Sequence, residues 1–314
     1  MSTSGANVQN VRVSTPTRVQ IVEVSPRDGL QAEARTVPTD LKLALLERLA
    51  DAGHTVIEAT SFVSPSAVPQ LADADELLRR MVRRPGVRYP VLVPNERGLE
   101  RAFAAGAEEI AVFVSATEGY ARKNLRRSRE EAVATAVTVT RTAAAAGRRV
   151  RGYVSMVIAD PDDGPTAPAQ VARISGELIG AGCAEISLGD TTGVGTPADV
   201  RRLLAAHADL GLSPEQLAVH FHDTYGQALV NVLTALELGI RTVDASTGGI
   251  GGSPFAKSAA GNLPTEDLVW MLDGMGIATG VDLHALGRIS AWLAEALGHA
   301  PPGRVARALT MAEA

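Results

Sequence analysis

Short apolar, β-branched runs alternate along this chain with longer stretches rich in Ala, Leu and Arg. The runs fall at 19–24, 55–59, 89–93, 109–114, 149–157, 184–188, 217–220 and 242–246, each with the length and residue types of a strand. The stretches between them carry helical spacing. Leu41, Leu45, Leu46 and Leu49 share one face, and Val230, Leu233, Leu236 and Leu238 form a less regular one. Strand–helix alternation implies a parallel sheet with crossover connections. Eight such units predict an α/β fold closed into a (β/α)8 TIM barrel. The open, doubly wound alternative calls for GxGxxG after the first strand, and none follows it. Beyond residue 280, Leu283, Leu286, Ile289, Leu293 and Leu297 fall on one side and predict a C-terminal helix, packed on the barrel or on a second subunit. The expected organisation is a disordered tail at 1–17, a catalytic barrel at 18–280, and a C-terminal helix and tail at 281–314.

Composition narrows the class. A length of 314 residues is normal for one barrel, and 46% hydrophobic with 21% charged residues leaves ample core material. The formal charge of −5 argues against a nucleic-acid partner, which calls for basic excess. No run is long and apolar enough to span a membrane. A single cysteine, Cys183, excludes an internal disulfide and a Cys-based zinc cluster, and points to a reducing cytoplasm.

The candidate chemistry follows from the barrel. Active sites of such folds lie at the C-terminal ends of the strands. There the chain places Arg27 and Asp28 after strand one and Glu58 at the end of strand two. Ser187 and Asp190 end strand six, and His220 and His222 end strand seven. A Gly-rich loop from Gly248 to Gly261 leads to Asn262 and Glu266. Two histidines at i and i+2 on a strand point to one side of the sheet and can grip one metal ion. Asp28, His220, His222 and Asn262 together offer two nitrogens, two oxygens and no thiolate. That set suits Mg²⁺ or Mn²⁺, with Co²⁺ or Zn²⁺ as alternatives.

The segments carrying these residues resemble hydroxymethylglutaryl-CoA lyases. They are Val22 to Gln31 (VEVSPRDGLQ), Ile57 to Pro65 (IEATSFVSP), Glu185 to Thr191 (EISLGDT), His220 to Gln227 (HFHDTYGQ) and Gly261 to Leu268 (GNLPTEDL). The likeness runs in order from about residue 19 to residue 280. It implies divalent-metal-dependent cleavage of 3-hydroxy-3-methylglutaryl-CoA to acetoacetate and acetyl-CoA, by an enzyme expected to be a homodimer. In that reaction the C3 hydroxyl loses a proton and the thioester fragment leaves as an enolate. The implied metal ligands are Asp28, His220, His222 and Asn262. Arg27 is expected on the thioester oxygen, Glu58 orients Arg27, and Asp190 supports proton transfer. Either Asp28 or His220 relays the hydroxyl proton. Ser253 and Glu266 complete the implied catalytic set, and Gln31, Ser187, Lys123, Asn124 and Lys257 are expected on the acyl-CoA. The cluster Arg122, Lys123, Arg126, Arg127 and Arg129 suits its phosphates.

The chain departs from the family in one loop. Ser253 stands where the lyases carry a cysteine proposed to exchange a proton with substrate or product. A free thiol titrates near pH 8.5, and a serine hydroxyl is a far poorer acid, so turnover is expected to be slow. Lys257 replaces an uncharged residue and either takes over the proton or binds a CoA phosphate. Met156 and Asp160 also stand at cysteine positions, and Asp160 is expected near the acyl pocket. Two alternatives follow: a lyase or Claisen-type enzyme for a different 3-hydroxyacyl-CoA, and a catalytically weak barrel kept for binding.

Overall fold

The computed structural model describes residues 15–252 and 261–312. Residues 1–14 of the expected tail, and Ser253, Lys257 and Ser258 of the loop, lie outside the described residues. The strands are β1 (Gln20–Glu23), β2 (Thr60–Ser61), β3 (Pro90–Leu92), β4 (Glu109–Ser115), β5 (Arg149–Ser155), β6 (Glu185–Asp190), β7 (Leu217–Phe221) and β8 (Thr242–Ala245). They run parallel, with β1 paired to β8 and the rest following in chain order to β2. The last seam closes through the segment before β2. Glu23 N donates to Val56 O at 3.0 Å, and Glu58 N donates to Glu23 O at 2.9 Å. The result is the expected barrel. The second run differs in detail: 55–59 makes only isolated bridges, and regular pairing begins at Thr60.

A helix follows each strand: α1 (Thr39–Asp51), α2 (Ala74–Arg80), α3 (Glu96–Ala104), α4 (Arg129–Ala145), α5 (Pro168–Ala181), α6 (Pro197–Asp209), α7 (Ala228–Glu237) and α8 (Thr265–Gly274). Their boundaries have local causes. Ser128 and Glu131 form a reciprocal capping box at the start of α4. Pro168 opens α5, and Gly182 ends it in the left-handed region at φ 118°. The apolar faces cover the strands. α1 buries Leu45, Leu46 and Leu49 as expected. α7 turns a different face inward, burying Ala228, Val232, Ala235 and Leu236, while Val230 and Leu238 are exposed at 40% and 37%. Positions 228, 232 and 235 keep the 3.6-residue period that 230 and 238 do not share with them.

The C-terminal segment forms two helices rather than one, α9 (Leu283–Leu297) and α10 (Arg304–Ala312). α9 buries Leu286, Ile289, Leu293 and Leu297 and packs on α1, α8 and α10 of its own chain. Among the described residues no helix is long and apolar enough to cross a membrane.

Candidate active site

The chain after β1 turns into a wide helical loop, in which Asp28 N and Gly29 N both donate to Val24 O, at 2.8 and 3.1 Å. The i→i+5 bond of Gly29 marks a π-type turn, a form found mostly at functional sites. The turn swings Arg27 and Asp28 over the C-terminal mouth. Gly29 is required there, because a Cβ would lie 2.7 Å from Ile250 Cγ1. β7 delivers His220 and His222, and the intervening Phe221 packs into the helix-facing core, as expected. Asn262 reaches the same point because 261–263 pairs briefly with the end of β7. Asp223 N donates to Gly261 O, and Leu263 N donates to Phe221 O, both at 3.2 Å.

Asp28, His220 and His222 therefore converge, with one ligand atom from each within 4.8 Å of the others. The two Nε2 atoms face each other at 3.3 Å, and Asp28 Oδ2 lies 3.9 Å from His220 Nε2. Cis ligands of an octahedral ion with bonds of 2.0–2.1 Å stand about 3 Å apart, so this spacing suits one cation. Asn262 Nδ2 donates to Asp28 Oδ2 at 2.8 Å and to Ile250 O at 3.2 Å, which fixes the amide. Its Oδ1 is buried with no hydrogen-bond partner among the described residues. A buried acceptor without a donor is costly, and a cation held by Asp28, His220 and His222 would satisfy it. The residues present fit a divalent ion.

The electrostatics favour the same use. Burial opposes the charge on Asp28, but Arg27, His220 and His222 outweigh it and hold its carboxyl below the usual range. His222 is pushed down to about 3 by burial and by His220, so it is a neutral ligand at neutral pH. Burial likewise opposes the charge on Arg27. Glu58 and Asp28 more than compensate, and the guanidinium remains charged. Arg27 Nε donates to Glu58 Oε2 at 2.8 Å, Nη1 donates to Asp28 Oδ1 at 2.6 Å, and the group lies 5.6 Å from the centre of the Tyr153 ring. These contacts hold the guanidinium between the two carboxylates.

A cavity of about 400 Å³ opens in front of this cluster. Arg27, Asp28, His220 and His222 line its floor, with Tyr153, Phe113 and Leu92 on an apolar wall. Gln31, Asn124 and Arg126 reach its rim, and Gly252 brings the glycine loop to its edge.

Four expected site residues stand elsewhere. Ser187 is fully buried and donates to Asp244 Oδ2 at 2.8 Å, away from the cavity. Asp190 turns into the loop after β6, where Gly193 N, Gly195 N and Thr192 Oγ1 donate to it; burial raises its carboxyl against those donors. Glu266 lies beneath the glycine loop, accepting from Gly248 N at 3.1 and 3.0 Å and from Ser290 Oγ. Lys123 is exposed and paired with Asp162. Asp160 also misses the acyl pocket, since it closes its own turn by accepting from Asp162 N at 2.8 Å and from Thr117 Oγ1 at 2.5 Å. Of the basic cluster, Arg122 and Arg129 pair with Glu118 and Glu130, and Arg126 lines the cavity.

The sequence reading missed Asp244, Arg151 and Tyr153. Their signal was present: a charge in the middle of an apolar strand must find a buried partner.

A (β/α)8 barrel with a two-histidine, one-carboxylate cluster and a buried arginine at its C-terminal mouth defines a class, the metal-dependent barrel lyases. Within it the chain belongs to the HMGL-like family, whose model matches residues 18–293. It is 50% identical to the mitochondrial hydroxymethylglutaryl-CoA lyase of Bos taurus over 93% of this chain and 90% of that one. It is 49% identical to the cytoplasmic 3-hydroxy-3-methylglutaryl-CoA lyase of Mus musculus over 93% and 85%. The hydroxymethylglutaryl-CoA lyase of Pseudomonas aeruginosa superposes with a TM-score of 0.91 at 44% identity, covering 96% of this chain and 99% of that one. The HMG-CoA lyase of Acinetobacter baumannii, solved with coenzyme A and 3-methylmalate, gives 0.89 at 39% identity, covering 93% and 95%.

Proposed function

We propose that this protein is a divalent-metal-dependent carbon–carbon lyase that cleaves 3-hydroxy-3-methylglutaryl-CoA to acetoacetate and acetyl-CoA. The observation that carries the reading is the cluster of Asp28, His220 and His222, with an Asn262 Oδ1 that has no partner among the described residues, beside a charged Arg27 at the floor of one cavity.

Asp28, His220, His222 and Asn262 would hold Mg²⁺ or Mn²⁺, which when bound supplies a Lewis acid that lowers the pKa of the substrate hydroxyl. With the Nε2 lone pair of His220 committed to ligation, the acceptor for the hydroxyl proton in the cluster is the Asp28 carboxylate, 3.9 Å from that nitrogen. As the C2–C3 bond breaks, its electron pair passes into the thioester enolate, and Arg27 stabilises that developing charge. Glu58 keeps the guanidinium in place. Gln31, Asn124 and Arg126 at the rim suit the CoA portion. The enolate carbon then takes a proton to give acetyl-CoA, a step assigned to the loop of Ser253, with Lys257 as a second donor. Asp190 and Glu266 act by supporting loops and are positioning residues. The protein is placed in the cytoplasm as a homodimer.

The test is direct: the protein is incubated at high concentration with hydroxymethylglutaryl-CoA and Mg²⁺ or Mn²⁺, and acetyl-CoA and acetoacetate are quantified. Absence of both products sinks the proposal. Ser253, in place of a thiol, favours one second reading, a lyase tuned to another 3-hydroxyacyl-CoA. A substrate panel scored by kcat/KM separates the two.

A further inference from the structure

Asp244 has no role in the chemistry above, yet it is nearly fully buried beside the metal cluster. The sheet register puts it directly opposite His220 on the neighbouring strand. Side chains opposite each other on adjacent strands share a face and touch. His220 Nδ1 lies 3.2 Å from Asp244 Oδ2. The carboxylate is held from its other sides as well. Arg151 Nη2 donates to Oδ1 at 2.5 Å, Arg151 Nη1 donates to Oδ2 at 3.0 Å, and Ser187 Oγ donates to Oδ2 at 2.8 Å. Arg151 is anchored in turn by Glu185 at 2.7 Å and reaches the Tyr153 hydroxyl at 2.8 Å.

We propose that Asp244 is the positioning residue that fixes the tautomer of His220, holding the ring proton on Nδ1 so that Nε2 presents a lone pair to the metal. An imidazole carries one proton in its neutral form, and the nitrogen that keeps it is set by the partner of that nitrogen. A carboxylate accepts only, so the proton faces Asp244, and Nε2 faces His222 and Asp28. Among the described residues His222 has no such partner, and its buried Nδ1 makes no hydrogen bond with them. The two ligands are thus unequal, with His220 pre-set and His222 free to adapt. Asp244 is supported by Arg151 and Ser187, so its carboxylate cannot turn away. The inference rests on the metal reading above.

Asp244→Asn tests it. Arg151 Nη2 faces Oδ1, whereas Arg151 Nη1, Ser187 Oγ and His220 Nδ1 all face Oδ2, so no orientation of the amide restores the charged acceptor that the ring proton meets. The Nδ1 proton loses its carboxylate partner, and the tautomer that leaves Nε2 free for the metal is no longer held. Mn²⁺ binding to metal-stripped protein, read from the electron paramagnetic resonance signal of free Mn²⁺, should weaken about 10–100-fold. Leu178→Ala, a core truncation on α5 away from the site, should leave the affinity within about threefold of the parent protein. Histidine ¹⁵N spectra of the metal-free parent at pH 9 give a readout that does not depend on a variant folding: His220 should carry its proton on Nδ1. Unchanged Mn²⁺ affinity in Asp244→Asn, or a proton on Nε2 in the parent, would overturn the assignment. A parent that binds no Mn²⁺ yet shows the Nδ1 proton refutes the metal reading alone.

Discussion

Arg27 owes its charge to its neighbours rather than to solvent. Buried among Glu58, Asp28 and the Tyr153 ring, it is a fixed cation with little exposure to bulk water. Preorganised charge of this kind is worth far more than an exposed side chain, and losing one such donor typically costs 10²–10³ in kcat. Arg27→Gln should therefore lower kcat by about that factor with little change in Mn²⁺ affinity, as steady-state kinetics and metal titration will show. Ser253 is the opposite case, a weak acid at a position where the family resemblance leads one to expect a thiol. A general acid or base contributes about 10² to 10⁴ in rate. Ser253→Cys should raise kcat on hydroxymethylglutaryl-CoA by about a hundredfold, the lower end of that range. No gain would point to a different substrate or another proton donor such as Lys257. Asp28, His220, His222 and Arg27 were legible because their motifs follow recognised strands, and Asn262 because its motif follows the glycine loop. Asp244 was not, since its meaning depends on which strand lies beside β7.

At the scale of elements, the site is held together by the loops after β1 and β8 pressing on each other. Glu23 joins them, accepting from Ser25 N at 2.9 Å and from Thr247 N at 2.9 Å. Ile250 accepts from Ser246 Oγ at 2.7 Å and packs on Gly29. Gly251, at φ 125°, leaves room for Asn262, whose Nδ2 would stand 2.3 Å from a Cβ placed there. Glu266 supports the same loop from below and carries a pH signature. Burial raises its carboxyl from the ordinary 4.5 to about 7, against the opposing donors Ser290 and Gly248. The folded protein holds that proton more tightly than the unfolded chain. Its stabilising contribution is present in full below pH 4.5 and is lost as the pH rises through 7. Glu266→Gln cannot ionise, so the urea midpoint of the variant should gain on that of the parent as the pH is raised from 4.5 to 8. A constant difference across that range would refute the assignment. The sequence marked Glu266 as a site residue, but its place under the glycine loop depends on the docking of α8 and α9.

For the whole molecule, the two ends of the barrel meet, so distant parts of the chain share each contact. Val19 N donates to Ala278 O and Ala278 N to Thr17 O, both at 3.0 Å. Asp28 and Asn262, 234 residues apart, share a hydrogen bond. A metal held by residues from β1, β7 and the loop after β8 therefore ties the closing seam. At a hundredfold excess over its Kd it should stabilise the fold by about 2.7 kcal/mol. Mn²⁺ should raise Tm by about 4 °C, and a chelator should remove the gain; an unchanged Tm in both directions would speak against ligation by these residues. By itself the sequence determined the alternation of strands and helices, the closed barrel, and the strand ends that carry Arg27, Asp28, His220 and His222. These follow from periodicity and local motif, which adjacent residues encode. Only the tertiary structure decided which polar groups face the cavity and which face each other. It turned Ser187, Asp190 and Glu266 away from the cavity and placed Arg151 and Asp244 behind His220. Register and loop docking set those pairings between residues far apart in the chain, and the energy of a buried charge depends on the partner it meets there.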